Sequence, residues 1–206
     1  MRRARGFTLI EILVAVAITA LLAAMAFGGL NVVLDTADHT RAHQQRLHDL
    51  QIAMLLLVRD LRQAVPRPVR DGDQGEQPAL RIGGVSGPAL SLTRGGWDNP
   101  AGQRRSHLQR VAWALDGDRL VRRYWFHLDR PAGSEPREQR LLEGVHDLSI
   151  VALDADGQPR SEWPPQATPE QIERGEDNLA LLPAGVLVRF TLDGVGEIER
   201  RVAVRP

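Results

Sequence analysis

From Phe7 to Leu34 the chain is an almost unbroken apolar run of Ile, Leu, Val, Ala, Met, Phe and Gly. As an α-helix rising about 1.5 Å per residue it would span roughly 40 Å, more than the roughly 30 Å hydrocarbon core of a bilayer, so the run predicts a membrane-crossing helix. The helical pattern continues beyond it. Leu47, Leu50, Met54, Leu57 and Leu61 are spaced as one helix face, whereas Asp49, Gln51, Arg59, Asp60, Arg62 and Gln63 fall largely elsewhere. Pro66 and Pro68 end the pattern, because proline lacks a donor and disfavours helical geometry in the residue before it. One helix is therefore expected from Phe7 to about Ala64, transmembrane over 7–34 and amphipathic over 35–65. Gly28 and Gly29 lie near its exit from the bilayer, where adjacent glycines fit either a bend or frayed turn, or close packing against another helix.

Residues 66–206 change period and predict antiparallel β structure. Val111, Trp113 and Leu115 alternate before Asp116-Gly117, and Leu120 to Leu128 follows as the returning strand of a hairpin. Leu148, Ile150 and Ala152 alternate before the turn Asp154-Ala155-Asp156-Gly157. Val186, Val188, Phe190 and Leu192 alternate before Asp193-Gly194, with Ile198 to Val204 returning. Ala79–Ile82 and Ala89–Thr93 are shorter candidates, separated by Gly83, Gly84, Gly87 and Pro88. A loop from Gln158 to Pro183 carries Trp163-Pro164-Pro165 and then Thr168-Pro169-Glu170-Gln171, a capping box with proline at the first helical position. It reads as a cover over the sheet or as a partner contact. The fold class is thus α+β: a long N-terminal helix whose apolar face over Leu47–Leu61 packs on antiparallel sheet.

The flanks of the apolar run carry the most chemistry. Arg2, Arg3 and Arg5 precede it with no acidic residue, which places residues 1–6 in the cytoplasm and the remainder across the membrane. An ordinary secretory signal is cut after its apolar region, but here the cut site, Gly6-Phe7, lies before it, so the helix stays with the mature chain. Glu11 sits near the start of the run. A carboxylate at membrane depth costs roughly 2.5 kcal/mol or more, so Glu11 either reaches headgroups and water at the interface or is paired.

Gly6-Phe7-Thr8-Leu9-Ile10-Glu11 resembles the processing motif of type IV pilins and type II secretion pseudopilins. That resemblance implies cleavage after Gly6 by a prepilin peptidase, N-methylation of Phe7, and an assembly role for Glu11, fifth in the mature chain, neutralising the terminal amine of a neighbouring subunit. Later segments resemble the minor pseudopilin J family of type II secretion. They are Leu92-Thr93-Arg94-Gly95-Gly96-Trp97-Asp98-Asn99-Pro100, Leu108 to Leu115, Leu120 to Arg130, Leu141 to Val145, the Trp163-Pro164-Pro165 loop and Leu182-Pro183. The resemblance spans nearly the whole chain and implies the pseudopilin fold. It also implies a structural role in a hetero-oligomeric pseudopilus tip with minor pseudopilins of the I, K and H types and the major pseudopilin. The implied location is the inner membrane, single-pass, with a periplasmic C-terminal domain. A minor pilin of a type IV pilus is the next reading, and a signal-anchored periplasmic binding domain the third.

Composition narrows the alternatives. The 206 residues contain no cysteine, so neither a disulfide framework nor a thiolate metal site is available. With 26 basic and 26 acidic residues the formal net charge is zero, which argues against a nucleic-acid binder relying on counterion release. Every cationic side chain is Arg, which reads as genomic base bias because the arginines are interspersed with acids. His39 and His43 share an i, i+4 face near Asp35 and Asp38, yet no His-Glu-x-x-His pattern surrounds them, and a solvated helix face explains them better. Asp154-Ala155-Asp156-Gly157 lacks the rest of a calcium loop, and Gly95-Gly96 lacks a phosphate loop's surroundings. No nucleophile elbow occurs, so no enzyme, cofactor or metal is expected. Trp113 and Trp125 are assigned to strands; Trp97 fits equally a packed loop and a subunit contact.

Overall fold

The computed structural model describes residues 8–83, 88–98, 102 and 105–204, and within the N-terminal helix the backbone alone at 31–33, 35, 38, 39 and 42. Gly6, Phe7, Gly84, Gly87, Asn99 and Pro100, and the side chains of Asp35, Asp38 and His39, lie outside the described residues. The chain divides into two compact units, one up to His48 and one from Asp49 onward. Helix α1 runs from Leu9 to Arg62, close to the expected span. It passes Gly28 and Gly29 without a break, and a Cβ at either position would meet nothing within 4 Å.

Among the described residues the second unit holds eleven strands and a short helix, α2, Pro169–Glu173. The strands divide between two main antiparallel sheets. Strands β3 (Leu80–Ile82), β4 (Leu90–Arg94), β5 (Gln109–Asp116), β6 (Arg119–Tyr124) and β7 (Arg137–Leu142) pair antiparallel in chain order. Strands β8 (Val145–Leu153), β9 (Pro159–Arg160), β10 (Gly185–Leu192) and β11 (Gly196–Ala203) pair antiparallel in the order β11-β10-β8-β9. A separate hairpin joins β1 (Val69–Asp71) to β2 (Gly75–Gln77). Ala53, Leu57 and Leu61 of α1 enter one core with Leu80, Leu90, Leu92, Val111 and Trp113 of one sheet and Val186, Val188 and Phe190 of the other. Where β8 and β10 shift register, Asp147 takes a left-handed φ of 54°, a conformation that aspartate tolerates better than most residues.

Three expectations need correction. Strand β6 stops at Tyr124, short of Leu128, and the chain leaves the sheet as a loop to Arg137. Strands β1, β2 and β7 go unread in the sequence because they lack apolar alternation; β7 shows one buried residue, Leu142, in six. Asp60, grouped with the polar face of the helix, is fully buried.

Asp60 accepts four hydrogen bonds. Arg94 Nη1 donates to Oδ1 at 2.7 Å, Arg122 donates from Nε to Oδ2 at 2.7 Å and from Nη2 to Oδ1 at 3.1 Å, and the Trp113 indole donates to Oδ2 at 3.1 Å. The remaining donors of Arg94 reach the carbonyls of Gly95 and Gly96 at 3.0 Å, and Arg122 Nη1 reaches Gln139 Oε1 at 3.0 Å. Gly96 has a φ of 65°, and a Cβ there would lie 2.7 Å from the Gln63 amide nitrogen, so the pair Gly95-Gly96 closes the turn beneath Arg94.

The β1–β2 hairpin is tied to the loop after β6. Arg130 N donates to Arg70 O and Gly72 N to Arg130 O, each at 2.8 Å, and the Arg130 guanidinium pairs with Asp71. Burial works to raise the Asp71 carboxyl, but the Arg130 guanidinium and the backbone amides of Asp73 and Gln74 outweigh it and hold the carboxyl below the usual range.

Asp60→Asn leaves two guanidinium groups buried without a full counter-charge, and should cost about 3–5 kcal/mol in chemical denaturation; a loss under about 1 kcal/mol refutes the central role given to Asp60. Asp71 binds its proton less readily when folded, so its contribution is complete above the unfolded value of 3.8 and is lost as the pH falls through the lower folded value. The stability gap between wild type and Asp71→Asn should therefore close as pH is lowered through that window, and a gap independent of pH contradicts the assignment.

Candidate assembly site

Within the first unit, Leu9–Leu30 is a 22-residue helical stretch of mean hydropathy 2.5, with none of it buried inside the protein. Its length, about 33 Å at about 1.5 Å per residue, matches a hydrocarbon core. The side chains that solvent would least tolerate are the most open: Leu9 is 82% and Ile10 73% exposed.

The one carboxylate of this stretch is held at its N-terminus. Thr8 precedes the first helical residue, which makes it the N-cap and Glu11 the third residue of the first turn. The Thr8 backbone N–H and hydroxyl both donate to Glu11 Oε2, and Glu11 N donates to Thr8 Oγ1, each at 3.4 Å. The contacts are long, but their pattern is the reciprocal capping box. The Thr-x-x-Glu spacing of Thr8-Leu9-Ile10-Glu11 is the sequence signal for it, absent from the expectations above, and the same box recurs at Thr168. There the structure has Thr168 N donating to Gln171 Oε1 at 2.8 Å and Gln171 N to Thr168 Oγ1 at 3.4 Å. A carboxylate in the first turn also faces the positive end of the helix dipole.

Glu11 shares a shallow groove on α1 with Ala15, Thr19 and Ala23, each four residues on from the last. Small side chains at this spacing let a second helix backbone approach closely in lipid. The Thr19 hydroxyl donates to the Ala15 carbonyl at 2.7 Å, so it brings no unsatisfied polar group to that face.

In the second unit the Gln158–Pro183 excursion is anchored to the edge of β3. Ile82 and Trp163 exchange backbone hydrogen bonds of 3.1 and 3.0 Å, and the Trp163 indole, 8% exposed, donates to Leu181 O at 3.1 Å. This covers a sheet edge that would otherwise offer free pairing groups. Trp97 is half-buried, 6.0 Å from the Phe126 ring, with the Arg105 guanidinium 3.5 Å from its centroid. Trp113 is core, and Trp125, just past β6, lies under Arg130 at 4.1 Å. His43 is exposed on α1. At Asp154 the carboxylate accepts from the backbone of Asp156 and Gln158, and the chain turns there as expected.

Comparison with known proteins adds independent findings. The family model described as type II secretion system (T2SS), protein J matches residues 28–204, and that of the prokaryotic N-terminal methylation motif matches residues 1–27. The type II secretion system protein J of Klebsiella pneumoniae is 32% identical over 208 residues, 100% of this chain and 98% of that relative. Its counterpart in Vibrio cholerae is 34% identical over 201 residues, 95% of this chain and 85% of that one. A chain of the GspK-GspI-GspJ complex from enterotoxigenic Escherichia coli superposes with a TM-score of 0.64 at 28% identity, covering 78% of this chain and 98% of that chain.

Proposed function

We infer the role from one premise: the chain belongs to the type II secretion system protein J family. It acts as a minor pseudopilin, anchored in the inner membrane by α1 with its second unit in the periplasm. It joins subunits of the I, K and H types at the tip of a pseudopilus that the major pseudopilin extends. Its work is assembly and not bond chemistry. The observation that carries this reading is the coincidence of Glu11, its capping box and a small-residue face on the exposed apolar stretch Leu9–Leu30 of α1. A tether needs none of these. A helix that must meet another in lipid needs the small face for approach and the acid for orientation, since an amine brought to Glu11 satisfies both charges at once.

The leader Met1–Gly6 is removed by prepilin peptidase and the new terminus at Phe7 is methylated. Cutting there leaves a free amine four residues before Glu11, so each subunit carries both halves of an amine–carboxylate pair that different chains can share.

Intact-mass measurement of the membrane-extracted protein should find residues 1–6 missing and one methyl group added; a full-length chain would sink the assembly reading. Glu11→Leu should reduce co-purification with the I- and K-type subunits at least tenfold while leaving the denaturation midpoint of the second unit unchanged. Equal recovery of the variant and wild type in that complex would make α1 a passive anchor.

A further inference from the structure

The face of the five-stranded sheet turned away from α1 carries a second arginine cluster, and it is balanced differently from the one around Asp60. Cross-strand neighbours Arg81, Ser91, Ala112 and Arg123 form a row across β3, β4, β5 and β6. Beside this row Arg110 lies 2% exposed. The β1–β2 hairpin and the loop after β6 close over these residues and leave a cavity of about 210 Å³. Its lining includes four arginines, Arg81, Arg110, Arg123 and Arg130, against one carboxylate, Asp71.

Each donor can be followed to its acceptor. Arg110 donates to the carbonyls of Pro78 and Ala79 at 2.8 and 3.1 Å, to Thr93 Oγ1 at 3.3 Å and to Ser91 Oγ at 2.9 Å. All four acceptors are neutral. Arg123 is balanced by Glu138 at 3.0 Å, and among the described residues Arg81 donates to Gln77 Oε1 alone, at 3.3 Å. Asp71 is committed to Arg130 and to the Asp73 amide. Among the described residues Arg130 Nη1 is buried with no hydrogen-bond partner. Burial, joined by repulsion from Arg130 and Arg81 and only partly offset by the Asp71 carboxylate, pulls Arg110 down to about 9, so it stays charged at neutral pH.

A buried guanidinium without a counter-charge costs several kcal/mol, and an unfilled donor adds to that. The Asp60 cluster shows this chain meeting the same cost with a carboxylate on the other face of the same sheet. Here, among the described residues, Asp71 is the one carboxylate lining the cavity and it is bonded to Arg130, which leaves Arg110 and Arg81 with neutral acceptors alone. The planar donor fork of arginine matches carboxylate and phosphate oxygens, and the cavity has the volume of about seven water molecules at about 30 Å³ each, room for one such group with a few waters beside it. We propose that the cavity between the β1–β2 hairpin and the outer face of the five-stranded sheet binds one small oxyanion, a carboxylate or phosphate group, through Arg110, Arg130 and Arg81.

The test uses the full chain in detergent micelles, with thermal unfolding followed by tryptophan fluorescence. Sodium phosphate and sodium acetate are titrated separately against sodium chloride at matched ionic strength. One of the two oxyanions should raise the midpoint saturably, by about 3–6 °C at ten times its dissociation constant. A response to acetate alone identifies a carboxylate occupant, such as a partner's acidic side chain; a stronger response to phosphate identifies a free phosphate group. Arg130→Gln should abolish the shift, Arg81→Gln should weaken binding about tenfold, and Arg189→Gln in the other sheet should leave it intact. Arg81 is only partly buried, so its variant decides the matter if Arg130→Gln fails to fold. No shift beyond chloride, or a shift undiminished in Arg81→Gln, overturns the proposal.

Discussion

The second unit depends on one buried carboxylate. Asp60 is the point at which α1, β4, β5 and β6 are joined by polar bonds, through Arg94, Trp113 and Arg122. Apolar packing of Leu57 and Leu61 supplies attraction without direction, and a helix can slide or rotate on a sheet at little cost when only apolar side chains meet. Four hydrogen bonds to two oxygens forbid this. A rotation that moves Asp60 from its place strands two guanidinium groups and an indole N–H in the core, so helix register and sheet identity are fixed together. Buried ion clusters are weak evidence for net stability, because desolvation consumes much of the attraction. Their strength lies in the cost of alternatives, which suits an element that belongs to the core along one part of its length and is exposed along another.

The same chain uses arginine in two ways on opposite faces of one sheet. Toward α1, every donor of Arg94 and Arg122 that is hydrogen-bonded finds a carboxylate, carbonyl or amide oxygen, and the turn at Gly95-Gly96 exists in a shape that presents two of those carbonyls. Toward the hairpin, Arg110 spans the carbonyls of Pro78 and Ala79 and the hydroxyls of Ser91 and Thr93 on β4. Lysine is no equivalent at either place: a single ammonium on a flexible stem lacks the several fixed donors with which each guanidinium reaches separate acceptors. Whatever set the base composition of the gene, the fold exploits the planar fork at its interior positions.

Much of this architecture was legible in the sequence. The long helix, the hairpins at Asp116-Gly117 and Asp193-Gly194, and the capped turn at Thr168 all carry period or turn signals that local chemistry dictates. What was not legible shares one cause. Asp60 looks like a surface residue because periodicity weighs polarity and cannot see a partner thirty or more residues away. Strand β7 has a polar sequence because its cross-strand partners, not a core, order it: Arg123 meets Glu138, and Arg122 meets Gln139. The hairpin β1–β2 is read only once Asp71 and Arg130 are known to meet. The family resemblance reached these segments by their residues without supplying the reason for them.

Under the proposed pairing, local and assembled states compete for one group, the Glu11 carboxylate. The Thr8 cap ranks with helix N-caps worth about 1 kcal/mol, less than the roughly 2.5 kcal/mol or more that a carboxylate costs at membrane depth. The cap orients the carboxylate at the end of the helix but leaves most of its cost unmet. A fully compensated Glu11 would have no reason to prefer a neighbour's amine, and an uncapped one would sample conformations that a neighbour must first order. Partial satisfaction avoids both. It keeps the acid at a defined place in the first turn, beside the small face of Ala15, Thr19 and Ala23. The proposed pairing then exchanges weak, long bonds to Thr8 for a charged partner in a medium of low dielectric, where that exchange gains most.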